Sequence, residues 1–360
     1  MSILNIVGAK IWGGGEQYVY DICEEFTKND IHNYVLVDQS NFELQNKFKM
    51  VVTDILTTNL YQGKGILHII SIAKMMRERD ITSIFCHSGK YILLCILLKK
   101  LTGAKIIFFK HNAIPGKSDL YHRWIIKNVD AFICVSKLVY DLQCIEAYKS
   151  KYHLVYNGIN PNRFTDCRSI KEEKEKLDHK DIVIGYSGRI IKNKGIQELL
   201  DAVLEIYNNR SMPIKLLISG MGTDDEIKWL QNYIDMYDMS SYVDYVGFQE
   251  NMGIFYHQLD ILVAPSKVKE AFGLVLCEAM YCGIPVIASQ SGAQPEIITD
   301  KVTGILLSKV NMEAIQEAIK LIYSNKKECK QMMEKAKEKV EGNFLISHTV
   351  KKIKNILDKT

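Results

Sequence analysis

Short apolar runs alternate with longer amphipathic segments along most of this 360-residue chain. The short runs are typical of buried strands, and the longer segments repeat apolar residues at helical spacing. Alternating strands and helices form parallel sheets with helices packed on both faces. The pattern therefore predicts an α/β protein built from repeated β-α units.

In the first half, the predicted strands are Ile3–Val7, Tyr34–Val37, Ser83–Cys86, Lys105–Lys110, Ala131–Val135 and Leu154–Tyr156. The predicted helices there are Gly15–Asn29, Gly65–Arg79, Lys90–Leu101 and Asp119–Lys127. The dipeptide Asn157-Gly158 then predicts a turn that ends this half.

In the second half, the predicted strands are Ile182–Tyr186, Lys215–Ser219, Val243–Val246, Ile261–Ala264 and Val286–Ala288. The predicted helices are Gly195–Asn208, Asp224–Asp235, Met252–His257, Gly273–Cys282 and Met312–Ser324. The charged segment Arg168–Lys180 predicts a solvated helix near a domain linker. The tail Phe344–Asp358 has the pattern of a basic amphipathic helix.

The segment of residues 265–296 carries the most specific chemistry of the chain. Glu270 and Glu278 stand on either side of a small turn, Phe272–Leu274, which opens a predicted helix. A helix N-terminus offers unpaired N–H groups and partial positive charge to a phosphate. Carboxylates accept hydrogen bonds from hydroxyl groups. A ligand with both phosphates and many hydroxyls is a nucleotide sugar.

The same segment, read as an ordered whole, resembles the E-x7-E signature of the retaining glycosyltransferases of family 4. The resemblance implies the GT-B fold, in which two Rossmann-like, doubly wound domains face a central cleft. It implies an acceptor-side domain over residues 1–163, completed by a C-terminal helix within 344–360 that crosses back to it. Residues 164–343 would form the nucleotide-sugar-binding domain. The stretch Asn157–Asn160, followed by Phe164, also resembles the family's exit from its first domain.

Two cations follow the first strand of the second half. Arg189 lies in a Gly188-Arg189 pair, and Lys194 immediately precedes Gly195 at the start of a predicted helix. A forked guanidinium and a compact ammonium together suit a diphosphate. Their spacing alone is equally compatible with a solvated basic loop. The family resemblance implies that both contact the leaving diphosphate.

Two features of the first half are candidates for the opposite wall of the cleft. Gly14 and Gly15 follow the first strand without the G-x-G-x-x-G spacing, so a tight turn with no ligand stays an alternative. His111 ends the strand Lys105–Lys110, where α/β sheets present ligand groups. The alternative is a strand-end histidine bonded to backbone. The resemblance implies that the glycines lie against the donor and that His111 faces the transferred sugar, with His87 competing as an acceptor-side residue.

The resemblance also assigns roles to the remaining candidates. Glu278 would bind the ribose hydroxyls and Glu270 the hydroxyls of the transferred sugar. The backbone N–H groups of Phe272, Gly273 and Leu274 would complete the phosphate and sugar contacts. Gly220 and Phe248 each follow a predicted strand and would line the nucleobase pocket, although a glycine after a strand is common in any α/β protein.

The amino-acid composition indicates the class of protein and its cellular compartment. Hydrophobic residues make up 47% and charged residues 24%, as in a soluble globular protein of two domains. Nine cysteines without a C-x-x-C pair predict free thiols in a reducing cytoplasm. We see no signal peptide, and the apolar run Tyr91–Leu98 is too short to span a bilayer, so no transmembrane segment is expected.

The charge is unevenly distributed, with a net balance of +6 in residues 1–165 and −2 in the remainder. A basic first half favours anionic lipid headgroups or a phosphorylated acceptor, although an ordinary mildly basic domain explains it equally well. Peripheral contact with the inner face of the membrane is a further expectation. No nucleic-acid partner is expected.

The predicted reaction is retaining transfer of a hexosyl unit from a UDP- or GDP-linked sugar to a hydroxyl of a glycan, glycolipid or lipid-linked acceptor. The expected context is surface polysaccharide or glycolipid synthesis. No D-x-D motif follows a strand, so we expect no metal. The alternatives are a nucleotide-sugar epimerase or a phosphorylase on the same fold, and a non-catalytic nucleotide-sugar-binding subunit of a partner enzyme.

Overall fold

The computed structural model describes residues 1–164 and 181–360. These residues form two compact units. The first unit consists of Met1–Ile159 together with Ile346–Thr360, and the second unit is Asn160–Leu345. The predicted charged helix Arg168–Lys180 lies outside the described residues.

The first unit is built on a seven-stranded sheet in which all neighbouring strands are parallel. Its strands are β1 (Ser2–Ile6), β2 (His32–Asp38), β3 (Asp54–Thr58), β4 (Ser83–Cys86), β5 (Lys105–Lys110), β6 (Ala131–Cys134) and β7 (Tyr152–Leu154). Their order is β3-β2-β1-β4-β5-β6-β7. The order reverses between β1 and β4, where doubly wound sheets bind ligands beyond the carboxyl ends of the strands.

The α-helices of the first unit are Gly14–Lys28, Phe42–Phe48, Ile69–Glu78, Ile92–Thr102, Leu120–Asn128, Lys137–Gln143 and Ile346–Lys359. Buried apolar side chains from the helices pack against strands that are themselves almost wholly buried. The sequences of such strands are continuous apolar runs, because helices cover a parallel sheet on both faces.

Two sequence predictions for the first unit need correction, and three of its elements were not predicted. The last strand is Tyr152–Leu154 and not Leu154–Tyr156, because Phe132 pairs with Tyr152 in the ladder. The predicted helix Gly65–Arg79 is a 3₁₀ segment, Tyr61–His68, followed by an α-helix that begins at Ile69. The edge strand β3 and two seven-residue helices were not predicted, since each carries too few apolar residues for a clear period.

The C-terminal helix Ile346–Lys359 belongs to the first unit, as its resemblance-based prediction required. It packs against the helix Gly14–Lys28 and buries Val350 and Ile353. The Thr349 hydroxyl donates to the Tyr156 carbonyl at 2.8 Å. An apolar stripe and one buried hydrogen bond thus attach the last helix of the chain to its first domain.

The second unit contains a six-stranded parallel sheet. Its strands are β8 (Ile182–Ser187), β9 (Ile214–Ser219), β10 (Val243–Gly247), β11 (Ile261–Ala264), β12 (Val286–Ser289) and β13 (Ile305–Leu307). Their order is β10-β9-β8-β11-β12-β13, which is the Rossmann order. The direction of winding changes between β8 and β11, so a ligand site is expected beyond the ends of these two strands.

The described α-helices of the second unit are Ile196–Asn208, Asp224–Met236, Met252–His257, Leu274–Tyr281, Gln294–Ile297, Met312–Ser324 and Lys326–Asn343. The sequence did not predict Lys326–Asn343, an 18-residue helix, because only Met332, Ala336 and Val340 form its buried stripe. It also missed the three-residue edge strand β13. Within the described residues, no helix is long and apolar enough to cross a membrane.

Candidate functional site

The backbones of Gly188 and Gly220 meet at the carboxyl ends of β8 and β9 in the second unit. A Cβ on Gly220 would lie 1.7 Å from the Gly188 carbonyl oxygen, and Gly220 has a φ of +146°. Both the close approach and the positive φ exclude a side chain here. Two predicted site glycines therefore lie in close contact at the carboxyl ends of β8 and β9.

Lys194 and Glu270 form an ion pair within the second unit. Their side chains are 16% and 23% exposed, so both are largely withdrawn from water. Gly195, at φ +74°, places its Cα so close to β11 that a Cβ would lie 1.9 Å from the Pro265 carbonyl oxygen. This contact brings the turn that carries Lys194 against the end of β11, which leads to Glu270.

The backbone of Glu270 is held from its other side by the loop after β12. The Ala293 N–H donates to the Glu270 carbonyl at 2.9 Å. Gly292, at φ +63°, lies so close that a Cβ would stand 2.3 Å from the Glu270 nitrogen. Loops after β8, β11 and β12 thus converge on one carboxylate, which is pre-positioned before any ligand arrives.

Glu278 is buried and has a protein partner for each of its oxygens. Arg163 Nη1 lies 3.1 Å from Oε1, and the Tyr256 hydroxyl donates to Oε2 at 2.7 Å. Burial and the neighbouring Glu278 charge raise the pKa of Tyr256 well above its ordinary value, so the hydroxyl keeps its proton. The sequence predicted Glu278 but missed Arg163 and Tyr256, which hold this carboxylate in place.

Around the helix that carries Glu278, the remaining predicted residues divide into buried and exposed ones. The helix begins at Leu274, after Gly273 at φ +130°, so the N–H groups of its first turn point away from the helix. Phe272 is buried and contacts Phe344 edge-on, with ring centroids 5.7 Å apart. Arg189 and Phe248 are exposed, which leaves both side chains accessible to a ligand.

In the first unit, Gly14 and Gly15 open the helix Gly14–Lys28 directly after Gly13, its extended N-cap residue. A Cβ at Gly14 or Gly15 would meet nothing within 4 Å. The packing of the first unit therefore does not explain why these two positions lack a side chain.

His87 and His111 end the neighbouring strands β4 and β5 and are joined in a hydrogen-bonded chain. His87 Nδ1 lies 3.3 Å from His111 Nε2, and His87 Nε2 lies 3.0 Å from Oδ1 of the buried Asn5. Tyr18 contacts His111 edge-on, and Phe109 stacks on both imidazole rings. Desolvation lowers the pKa of His111 to about 4. Desolvation and the neighbouring ring also lower the pKa of His87.

This chain defines which nitrogen of each neutral ring carries the proton. Because Asn5 presents its oxygen, His87 Nε2 is the donor of that bond. His87 Nδ1 then accepts from His111 Nε2–H, which leaves His111 Nδ1 as an unprotonated acceptor. The two histidines that the sequence placed in competition are thus parts of one arrangement.

Within each unit, the structure therefore joins several predicted residues. It brings Gly188 to Gly220, Lys194 to Glu270, and His87 to His111. It pairs Glu278 with two residues that were not predicted. In residues 1–164 and 181–360, no group of three or more His, Cys, Asp or Glu side chains is arranged to hold a metal ion.

Both halves of the chain match glycosyltransferase families. Residues 12–163 match the family described as Glycosyltransferase Family 4, and residues 168–339 match Glycosyl transferases group 1. The chain belongs to the group 1, family 4 glycosyltransferases.

Curated relatives extend this likeness to named proteins. The chain is 31% identical over 257 residues to a lipopolysaccharide 1,2-N-acetylglucosaminetransferase of Salmonella typhimurium, covering 67% of this chain and 64% of the relative. It is 29% identical over 242 residues to an uncharacterized glycosyltransferase of Methanocaldococcus jannaschii, covering 66% and 61%. The first curated relatives are matched over only 49% to 61% of their own length.

Solved structures confirm the predicted GT-B class of fold. An Anabaena protein, HepE, in complex with UDP-glucose superposes with a TM-score of 0.82 over 100% of both chains, at 17% identity. At that identity the likeness concerns the fold alone, namely two Rossmann-like parallel-sheet domains.

Proposed function

We propose that this family 4 glycosyltransferase transfers a hexosyl unit from a nucleoside diphosphate sugar to an acceptor hydroxyl, with retention of anomeric configuration and without a metal ion. The observation that carries the proposal is the Lys194–Glu270 pair beyond the ends of β8 and β11. In a Rossmann-type sheet this is the position of a nucleotide ligand.

The pairing of Glu270 with Lys194 favours a ligand role for the carboxylate over a role as general base. A carboxylate that already accepts from an ammonium group still has lone pairs for sugar hydroxyls. The ammonium has three N–H donors, so Lys194 can hold Glu270 and a phosphate oxygen together. Glu270 therefore orients the transferred sugar, and Lys194 stabilises the leaving diphosphate.

Glu278 is assigned to the ribose. Arg163 and Tyr256 each occupy one lone-pair direction on an oxygen of this carboxylate, and each oxygen keeps a second. The ribose hydroxyls would donate to those remaining positions. Because Glu278 is buried and fixed by two donors, it would present the same geometry to every nucleotide.

Charge develops on the diphosphate as the sugar departs, and fixed donors stabilise it without reorganising. We assign this role to Arg189, to Lys194 and to the backbone N–H groups of Phe272, Gly273 and Leu274 at the start of the helix. They would replace a divalent cation. The exposed Arg189 side chain has no carboxylate partner among the described residues, so it can close onto a phosphate.

His111 and the backbone at Gly14 and Gly15 are assigned to the sugar from the first domain. His111 is neutral at physiological pH, because its pKa is lowered to about 4. Its Nδ1 can accept a hydrogen bond from a sugar hydroxyl near the reacting carbon. The acceptor proton would pass to a phosphate oxygen on the same face of the sugar, which is consistent with retention.

The relatives support a role in surface polysaccharide or lipopolysaccharide synthesis, and UDP- and GDP-linked sugars are the candidate donors. The acceptor is assigned to the glycan, glycolipid or lipid-linked class. Peripheral contact with the inner membrane face is supported by Leu67 and Ile70, which are 80% and 70% exposed between Lys64 and Lys74. The corresponding location is the cytoplasm at that face.

The proposal is tested by measuring binding of UDP, GDP and their hexose conjugates by calorimetry, with and without EDTA. We expect one nucleotide series to bind and EDTA to have no effect. A bound donor is then incubated with lipid-linked and free glycan acceptors, and the anomeric configuration of the product is assigned by NMR. Conversion of the donor without any acceptor would indicate an epimerase, and the absence of nucleotide binding would refute the proposal.

A further inference from the structure

A cavity of about 340 Å³ opens beside His111 within the first unit. Its walls come from the ends of β4, β5 and β6, the loop after His111 and the helix Leu120–Asn128. Phe108, Phe132 and Tyr152 supply aromatic faces, and Ile92 and Ile125 supply aliphatic ones. Its volume is that of a small-molecule site.

Two lysines line this cavity together with polar side chains such as Asn112 and Gln143; Lys117 is exposed, whereas Lys110 is half-buried. Lys110, the last residue of β5, holds its ammonium 4.1 Å from the ring centroid of Phe108 and 5.2 Å from that of Phe132. Desolvation lowers the pKa of Lys110. Cys86 and Cys134 are its electrostatic neighbours, and no carboxylate of the described residues pairs with it.

The Cys134 thiol does not neutralise the ammonium. Burial raises the pKa of Cys134 to about 12, so this thiol is uncharged at physiological pH. Asp119, the N-cap of the helix Leu120–Asn128, is paired with His122 at 2.6 Å. Burial removes part of the hydration of the Lys110 ammonium beside the rings of Phe108 and Phe132, and an anion next to it would offset that cost.

The wall opposite Lys110 is already formed. The Gln143 side-chain amide donates to the Ile114 carbonyl at 2.7 Å, and the Gly116 N–H donates to the Leu142 carbonyl at 2.7 Å. A Cβ on Gly116 would lie 2.7 Å from the Gln143 carbonyl oxygen, so the loop is packed closely against this segment. Ile114 and Tyr121 are exposed at the mouth, which adds apolar surface there.

We propose that this cavity binds the acceptor through an anionic group, a carboxylate or a phosphate, carried on a sugar or other ring that packs on the aromatic wall. The inference rests on the proposed function, because His111 at the rim of the cavity is where we place the reacting sugar. Lys110 is then a specificity-determining residue. It selects acidic acceptors over neutral ones of the same shape.

The test uses ligands that differ only in charge. Binding of phenyl β-D-glucuronide and phenyl β-D-glucoside is measured by calorimetry with the full chain, and phenyl phosphate tests the phosphate alternative. We expect at least one anionic probe to bind about 10- to 100-fold more tightly than the glucoside, the range of one charge-assisted hydrogen bond. In Lys110→Met that preference is expected to disappear.

The matched control is Lys105→Met, at the opposite end of the same strand. It should keep the full preference for the anion. Equal binding of charged and neutral probes, or an unchanged preference in Lys110→Met, would overturn the inference. Nucleotide binding is measured in the same samples. If nucleotides bind and the aryl anions do not, only the inference about the acceptor cavity is wrong. If the unmodified chain does not bind nucleotides, the proposed function itself is wrong.

Discussion

His87 Nδ1 lies 3.3 Å from His111 Nε2, and the buried Asn5 bonds the far side of the His87 ring at 3.0 Å. An amide oxygen in the first strand therefore determines which nitrogen of His111 is free. Sequence reasoning treated the two histidines as competitors, whereas the structure makes His87 a positioning residue for His111.

Asn5→Leu is expected to remove the hydrogen bond that fixes the tautomers of His87 and His111, with little change in side-chain volume. The His87 ring loses its acceptor, and the tautomers of both rings redistribute. We expect kcat for transfer to fall about tenfold, the equivalent of one lost hydrogen bond, with the donor KM nearly unchanged. Nitrogen NMR shifts of His111 report the tautomer directly. Asn33→Leu, at another buried asparagine of the same sheet, should lower stability and leave those shifts unaltered.

The lowered pKa of His111 predicts an acid-sensitive stability. Its pKa is about 4 in the folded protein and about 6.5 when unfolded, so between these pH values only the unfolded chain takes up the proton. Stability contributed by the neutral ring is present above about pH 6.5 and is lost as the pH falls toward 4. Urea midpoints at pH 7.5 and 5.0 should therefore differ more in the wild type than in His111→Gln. If the midpoints of the two proteins shift equally between these pH values, the lowered pKa of His111 is wrong.

Lys194→Ala and Glu270→Ala are each expected to abolish transfer while the protein stays folded. Lys194 is assigned to the leaving diphosphate, and loss of a fixed hydrogen-bond donor at a developing charge lowers kcat by about 10²- to 10³-fold. Glu270 is assigned to the orientation of the transferred sugar, so its loss should misplace the reacting carbon. The control is Lys267→Ala, which breaks the neighbouring Lys267–Glu198 pair. Lys267 is 43% exposed, so this change should cost little stability and leave transfer intact. Full activity in either site variant would refute the mechanism.

The variants Arg163→Met and Tyr256→Phe should show how much each hydrogen-bond partner of Glu278 contributes to the stability of the protein. Removing Arg163 leaves a buried carboxylate without its cation, which costs about 3–5 kcal/mol in comparable pairs. Removing the Tyr256 hydroxyl deletes one donor and should cost about 1–3 kcal/mol. Chemical unfolding measures both. A larger loss for Tyr256→Phe than for Arg163→Met would show that charge is not the main support.

Gly195→Ala and Gly247→Ala distinguish steric exclusion from backbone strain. Both glycines have a positive φ, +74° and +68°, but only at Gly195 would the new Cβ collide with the Pro265 carbonyl. Gly247→Ala should cost about 1 kcal/mol from conformation alone. Gly195→Ala should cost more, and it should weaken nucleotide binding because the Lys194 turn must move. Thermal unfolding with and without the nucleotide compares the two variants.

Apolar periodicity predicted most of both sheets, because strands covered on two faces must be apolar throughout. It failed at β3, β13 and Lys326–Asn343, where burial is confined to a few side chains on an edge or a narrow stripe. Motifs predicted Glu270, Glu278 and Lys194. They could not predict the partners Arg163 and Tyr256, since these lie 115 and 22 positions from Glu278 and no local pattern encodes such a pairing.

Because Ile346–Lys359 completes the first unit, the two units cannot be completed during translation in the order in which they begin. The whole of the second unit, Asn160–Leu345, is synthesised before the helix that covers Gly14–Lys28 emerges. Until then the nascent first unit exposes the apolar surface that Val350 and Ile353 later cover. During translation the second unit is therefore the first that can be complete, because the first unit depends on Ile346–Lys359, which is synthesised after the second unit.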